Sequence, residues 1–422
     1  MLEKIKNYFT IEYLFFAVVF WACLRGLDQR FVEFGFGLRP IAFITFAIGG
    51  VCLVFALKNR HDAIDICVLF LALGMTRFFS TIDALGGLDF FTMCPVLFYI
   101  AGKQYVYTMR KKSKNNAVIV FSTVVFCSIF LLQLIEAVEF WKHYIEKGYP
   151  FDGDPYQDRG WLFWATTEVD LRITVYAFLG VVLCSFLFIG IMLLLDNKKI
   201  GWIVIAIGIY SFVFYSIRGS RNVFLSAFIV FVVNLILCMF EQKGKMKHIM
   251  KKIIFLFGAV ILIFVCIWAL FCLDLLPAGV ENFLRGTLIN GRSGGIIHND
   301  RFKSIIAIVR NIGNYPLGGM PKEVAVLDGG HSVWTQAAVY SGRLSFVYLV
   351  IFSVITLTVF VRYCFSKRNQ IEKHMLISLY VATFLYAFIE PLIMQVTIAW
   401  VIHCLICGVM VECVRGDSLC KD

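Results

Sequence analysis

Apolar runs recur from one end of the chain to the other, separated by short basic loops and by two longer polar stretches. A helix of about 20 apolar residues crosses a hydrocarbon core of roughly 30 Å, and in lipid only a helix or a closed barrel satisfies its own backbone. The pattern predicts helical spans over 11–24, 40–57, 63–79, 88–105, 117–140, 173–195, 200–217, 222–240, 253–273, 344–361, 375–389 and 393–411. About twelve helices therefore form one all-α polytopic domain over residues 1–422. The first run is followed by Arg25 and lacks a small-residue cleavage site, so it reads as a retained helix rather than a removed signal peptide.

Composition agrees with this pattern. The 422 residues are 60% hydrophobic and only 16% charged, with a mean hydropathy of +0.82, whereas soluble domains run nearer a quarter charged. The net charge of +11 raises the question of nucleic acid, and the placement of the charges answers it. Lys4 and Lys6; Lys58 and Arg60; Arg110, Lys111, Lys112 and Lys114; Lys198 and Lys199; residues 243–252; Arg362, Lys367 and Arg368; and Arg415 with Lys421 all fall on one side of a twelve-span layout. This is the positive-inside pattern, with both termini cytoplasmic and no nucleic-acid partner. The 14 cysteines lie mostly within apolar runs, and Cys404-x-x-Cys407 reads as packing rather than redox chemistry.

Two long loops then face outward, about 141–172 and about 274–343. The first is acidic and aromatic, with Asp152, Asp154, Asp158, Trp161 and Trp164. Asp152-Gly153-Asp154 matches the Asp-x-Asp by which sugar-nucleotide enzymes hold a metal, but a glycine between acids beside Pro155 is also ordinary turn chemistry, and the turn reading is preferred. The second loop contains the most polar stretch of the chain, 289–343, with Arg292, His298, Arg301, Arg310, His331 and Arg343 among turn residues.

Arginines on the outer face run against the positive-inside pattern and need another reason. Arg218-Gly219-Ser220-Arg221 joins two spans there, with Ser220 placed to cap the helix that begins at Asn222. A cation in a first helical turn opposes the macrodipole, and a bound anion reverses that sign. Snorkelling to lipid headgroups is the alternative. Arg301 repeats the arrangement. Asn299 or Asp300 caps a short helix lying on the outer face, with Phe302, Ile305, Ile306 and Val309 as its apolar stripe and an end near Gly313. His331 follows Gly329-Gly330 at the membrane edge, where a neutral imidazole can take a proton from a hydroxyl, or simply be a hydrogen-bonded interfacial histidine. His298 is the rival base. Glu136, Glu139 and Glu390 lie near outer span ends, lining a cavity or pairing with the arginines. No third histidine or carboxylate at ligand spacing joins the two histidines, so no metal site is expected.

Taken in order, Arg221-Asn222-Val223-Phe224-Leu225, the helix headed by Arg301 and running to Asn314-Tyr315-Pro316-Leu317-Gly318-Gly319, and His331 followed by Gly342 resemble the motifs of the O-antigen polymerase and O-antigen ligase superfamily of bacterial envelope glycosyltransferases. The first is similar to that family's Arg-x-x-x-Leu, the second to its arginine-headed helix and Pro-Leu-x-Gly turn, and the third to its His-Asn segment and following glycine. Ser332 stands where the family has asparagine, and the turn continues Gly-Gly-Met.

The resemblance implies a C-class membrane glycosyltransferase fold and a polyprenyl-pyrophosphate-linked oligosaccharide as substrate. It also implies action outside the cytoplasm of the bacterial inner membrane without metal or other cofactor, and a chain-length regulator as a further partner beside membrane lipid. On this reading Arg221 and Arg301, with Arg218 and Arg292, bind pyrophosphate, and His331 orients or deprotonates the acceptor hydroxyl. Trp161, Trp164 and Trp334 stack on sugars or anchor the interface. A polymerase is expected. A ligase passing finished glycan to a lipid or protein acceptor is the nearest rival. A lipid-linked sugar transporter, favoured by Asp65 and Arg77 within one span, and an inactive structural subunit are the others.

Overall fold

The computed structural model describes Asp65, Val68 and residues 88–112, 116–147, 173–217, 221–241, 300–325, 332–389 and 397–419. The described residues are mostly helical, with no strand among them. In chain order the helices are α1 (Leu88–Lys111), α2 (Ala117–Lys147), α3 (Ile173–Ser185), α4 (Leu187–Leu195), α5 (Ile200–Ile217) and α6 (Arg221–Glu241). They continue with α7 (Asp300–Asn311), α8 (Lys322–Ala325), α9 (Val333–Gln336), a π-helical segment (Ala337–Ser341), α10 (Gly342–Cys364), α11 (Gln370–Ile389) and α12 (Thr397–Leu419).

Five stretches are long and apolar enough to cross a membrane: Ala117–Val138, Phe178–Leu195, Val223–Phe240, Val333–Cys364 and Ala399–Gly416. Ile200–Tyr215 is a shorter apolar helix. This is a helical membrane protein. The expected spans 11–24, 40–57 and 253–273, and all but Asp65 and Val68 of 63–79, lie outside the described residues.

Where spans and helices can be compared, the differences have local causes. The run 173–195 was expected as one helix, yet it breaks at Phe186. Ser185 Oγ donates to the Val182 carbonyl at 2.6 Å, and Phe186 N donates to Leu183 O at 3.3 Å, so the side chain competes for the turn and the helix restarts. α2 continues through Trp141 to Lys147, seven residues into what was expected as outer loop. Its 31 residues rise about 46 Å at roughly 1.5 Å each, more than a bilayer core needs, and Trp141 Nε1 donates to Tyr210 OH at 3.1 Å. Between α4 and α5, Lys198 N donates to Leu193 O at 2.8 Å and Asn197 N to Leu194 O at 2.9 Å, with Asn197 at φ 58°. That is a Schellman cap with asparagine in the left-handed position, and it reverses the chain.

The core is built by α1, α3, α11 and α12, with α1 against α12 the most extensively packed pair. Gly102 meets the Leu405 backbone, Gly408 meets that of Tyr99, and Arg110 meets Glu412 at 3.2 Å. From Gly102, against Leu405 and Val409, to Arg110, against Glu412 and Gly416, the contacts advance together along both helices, so α1 and α12 run parallel. At the shared end Arg110 Nη2 also donates to the Glu412 carbonyl at 2.5 Å. Arg368 bridges Glu372 at 2.7 Å and donates to Cys413 O at 3.0 Å. Lys373 Nζ donates to Ser366 O at 2.7 Å and to Cys364 O at 3.4 Å, closing the last turn of α10. The basic ends of α1, α10 and α12 thus meet at one end of the bundle.

Within the bundle, Lys103 of α1 donates to Asp65 Oδ2 at 2.6 Å, both buried. His374 Nδ1 lies 2.8 Å from Asn234 Oδ1, and Asn234 donates to Ser378 at 3.0 Å. Thr383 lies 2.9 Å from His403 Nδ1. Cys404 and Cys407 are buried thiols, and Cys407 Sγ sits 3.6 Å from His403 Nε2. These polar contacts lie in the buried interior of the bundle.

Candidate functional site

Two regions hold the sequence-predicted site residues, and each is positioned by its own packing. The first is the junction of α5 and α6. α5 ends at Ile217 and α6 begins at Arg221, one residue earlier than expected, so Arg221 opens the helix. Arg218 and the side chain of Arg221 lie outside the described residues.

Just below the junction, Tyr215 and Val223 both press on α3 at Gly180, where a Cβ would meet the Tyr215 ring and the Val223 methyl at 2.9 Å. Phe212 and Phe224 pack edge to face across the same junction, their centroids 4.4 Å apart. Tyr215 OH donates to Glu136 Oε2 of α2 at 2.9 Å, with both side chains buried. One turn deeper, Ser211 Oγ donates to Gln133 Oε1 at 2.9 Å. Gln133 and Glu136 are three apart on α2, and Ser211 and Tyr215 four apart on α5, so each pair shares a helix face. Glu136 had been noted as an outer-end carboxylate, but its partner Tyr215 had not.

The second region joins α7, the turn after it and the π-helical segment. α7 begins at Asp300 and ends at Asn311, which places Arg301 in its first turn as expected. The Arg301 side chain, Arg292 and His331 lie outside the described residues. The buried face of α7 differs from the expected stripe. Ser304 and Ile308 are buried, while Ile306 (37% exposed) and Val309 (54% exposed) face outward. Ser304 Oγ donates to the Ala325 carbonyl at 2.6 Å, tying α7 to α8, and Ile308 packs with Met320, Ala325, Ala338 and Val339. A serine with a backbone partner takes the inward position, and the apolar stripe is left for the surroundings. Arg310 and Arg343 are exposed.

The turn from Asn314 to Gly319 docks on the π-helical segment through the backbone. Arg343 N donates to Pro316 O at 3.0 Å, and Met320 N donates to Val339 O at 3.2 Å. A π-helical turn leaves backbone groups outside the ordinary ladder, and this turn engages two of them. The fit requires glycine on both sides. Gly342 has φ +85° and Gly318 φ +90°. A Cβ on Gly342 would strike Pro316 O and Gly318 N, and one on Gly318 would strike Tyr340 O. Two of the three motifs, the Pro-Leu-Gly-Gly turn and the glycine ahead of the next span, are therefore in direct contact. The described residues do not bring the α5–α6 junction into extended contact with α7.

Ser332 caps α9. Its Oγ accepts from Thr335 N at 3.2 Å, and Thr335 Oγ1 accepts from Ser332 N at 3.0 Å, a reciprocal box. Serine and asparagine are similar as N-caps, so Ser332 retains the capping ability of the expected asparagine. His331 is the residue just before this cap. Trp334 is half-buried, donates from Nε1 to Ser353 Oγ at 3.0 Å, and meets Phe384 and Phe388 edge to face. Trp161 and Trp164 lie outside the described residues.

Gly342→Ala is expected to open this clasp. A left-handed backbone costs a non-glycine residue about 1–2 kcal/mol, and two displaced backbone bonds cost about 1 kcal/mol each. Thermal unfolding should fall by the equivalent of roughly 3 to 4 kcal/mol, and the turn should become a site of limited proteolysis. Gly313→Ala, where a Cβ meets nothing within 4 Å, should leave both measurements unchanged.

The chain matches no protein-family model and no curated protein.

Proposed function

We propose that the protein is a polysaccharide polymerase of the bacterial cytoplasmic membrane. It transfers a growing O-antigen or capsule-type glycan from polyprenyl pyrophosphate to a sugar hydroxyl of another lipid-linked repeat unit. The observation that carries this reading is the contact of the Asn314–Gly319 turn with Gly342, which couples the helix headed by Arg301 to the helix that follows His331. An arginine-bearing helix start and a histidine just ahead of a capped helix are the two parts that displacement at a pyrophosphate-linked carbon needs.

On this reading twelve spans place both termini in the cytoplasm and the second long loop outside. Arg221 and Arg301, with Arg218 and Arg292, hold the pyrophosphate and stabilise its charge as it leaves. His331 takes or orients the acceptor hydroxyl proton, the hydroxyl oxygen attacks the anomeric carbon from the opposite face, and the configuration inverts. No metal takes part.

The test is direct. Purified protein with lipid-linked repeat units should give a ladder of products on a gel. Transfer only to a non-carrier lipid or protein acceptor would make it a ligase. A second reading, transport of the same lipid-linked sugar, takes support from the buried Lys103–Asp65 pair. It predicts movement of labelled repeat units across vesicles with no ladder.

A further inference from the structure

α7 buries Ser304 beside Ile308 and leaves Ile306 and Val309 exposed, and in the turn after it Leu317 is exposed as well. A single exposed apolar residue is ordinary on a wet surface. A helix that turns a serine inward and an isoleucine and a valine outward fits surroundings that are themselves apolar. We propose that the outward face of α7 is a lipid-docking surface. Ile306 and Val309 enter the boundary between headgroups and acyl chains, and Arg310 binds the phosphodiester of a phospholipid headgroup.

The depth of α7 follows from α10. The exposed apolar residues of α10 run from Leu344 through Val347, Ile351, Val354 and Leu357 to Val361, and the exposed Arg343 and Arg362 flank them. From Leu344 to Val361 the helix rises about 27 Å at roughly 1.5 Å per residue, close to the thickness of a hydrocarbon core. Arg362 lies in the last turn of α10, at the basic end of the bundle, so Arg343 marks the opposite edge of that core. Beyond Arg343 the exposed stripe stops, since Val333 to Ser341 are buried or half-buried.

α7 is fastened at this edge. The turn after it accepts from Arg343 N through Pro316 O at 3.0 Å, and Ile308 packs with Ala338 and Val339, less than two helical turns, or under about 10 Å, past the edge. That is the headgroup layer, where an amphipathic helix rests with its apolar face roughly 5–10 Å into the boundary.

Charge and area select lipid over a protein partner. Arg310 is exposed and lies four residues after Ile306, on the same side of α7. At headgroup depth an arginine lays its stem along apolar surface and sets its guanidinium on phosphate. Ile306, Val309 and Leu317 together offer far less than the roughly 800 Å² per partner of a stable protein interface, whereas lipid requires no minimum area. Lipid then holds α7 from outside while Ser304 and Ile308 hold it from within, and the clasp on Gly342 depends on both.

The experiment places the photoreactive residue p-benzoylphenylalanine at Val309 in full-length protein, in nanodiscs of phosphatidylglycerol, and identifies adducts by mass spectrometry. The same probe at Val354, exposed in mid-span, is the reference for lipid contact. Both positions are expected to give phospholipid adducts. Arg310→Ala should lower the yield at Val309 about two- to fivefold, the scale of an exposed ion pair. Val309→Asp, which a wet surface tolerates, should make the Asn314–Gly319 turn about fivefold more sensitive to protease in the discs, the scale of a charge at the bilayer interface. A probe at Val309 that gives no lipid adduct while Val354 does, or that crosslinks only to a second protein chain, overturns the proposal, as does unchanged protease sensitivity in Val309→Asp. An unchanged yield in Arg310→Ala overturns the phosphate contact. Should Val309→Asp fail to accumulate, the adduct yields decide alone. None of these measurements involves glycan, so the proposed function stands or falls apart from them.

Discussion

Gly408→Leu is expected to remove the protein from the membrane fraction. α1 and α12 approach so closely that a Cβ on Gly408 would sit inside the contact distance of the Tyr99 carbonyl oxygen, and one on Gly102 inside that of Leu405. The obstructing atoms are backbone, so no rotamer change relieves the clash. The helices must separate, and the parallel pair at the centre of the bundle then loses its contact along the whole seam. Small residues govern such seams in lipid because association there depends on van der Waals approach rather than on expulsion of water. Overpacking that forces backbone shifts typically costs about 1–3 kcal/mol. A leucine at this crossing should exceed that range, since Arg110 would also lose register with Glu412. Immunoblotting of membranes should show little protein. Gly313→Ala should accumulate normally, and wild-type levels of Gly408→Leu would contradict the packing described here.

Hydropathy made the lipid-facing helices legible because it reports the surface they present. The spans 200–217 and 222–240 agree with α5 and α6 to within a residue at each end. It failed where buried polar groups are satisfied by specific partners, whether a turn away or far along the chain. The expected span from 375 begins in fact at Gln370, because Glu372, Lys373 and His374 are buried against Arg368, the end of α10 and Asn234. The span expected from 344 is preceded by helix from Val333. Ser332 and Thr335 cap that helix, and Gly342, a breaker in most contexts, sits within it beside a π-helical turn.

At the candidate site, Arg221 and Arg301 were legible as residues of first helical turns. The face of α7 was not, since its periodicity marked the outward stripe while Ser304 and Ile308 took the inward one. The Glu136–Tyr215 bond was legible only in part. Gln133 and Glu136 in an apolar run signal a polar face, but nothing in the sequence pairs it with Ser211 and Tyr215.

Arg301→Ala should abolish chain growth without reducing stability, and α7 contains its own control. A cation in the first turn of a helix opposes the macrodipole, and its removal should raise stability by a few tenths of a kcal/mol. If Arg301 stabilises the leaving pyrophosphate, the same change removes charge-assisted donors from the transition state. A single such donor is worth about 2.7–4 kcal/mol, a 10²- to 10³-fold loss of rate. Arg301→Lys keeps the charge but not the planar fork and should fall between. Arg310 lies in the last turn of the same helix, exposed, where a cation favours the dipole. Arg310→Ala should therefore lose a little stability and retain its ladder. The two substitutions remove the same side chain from one helix with opposite signs for stability and opposite outcomes for activity. A merely structural arginine would not produce that crossing. Ladder synthesis and thermal unfolding of the three variants decide the matter, and an Arg301→Ala protein that still extends glycan within a few-fold of wild type refutes the assignment.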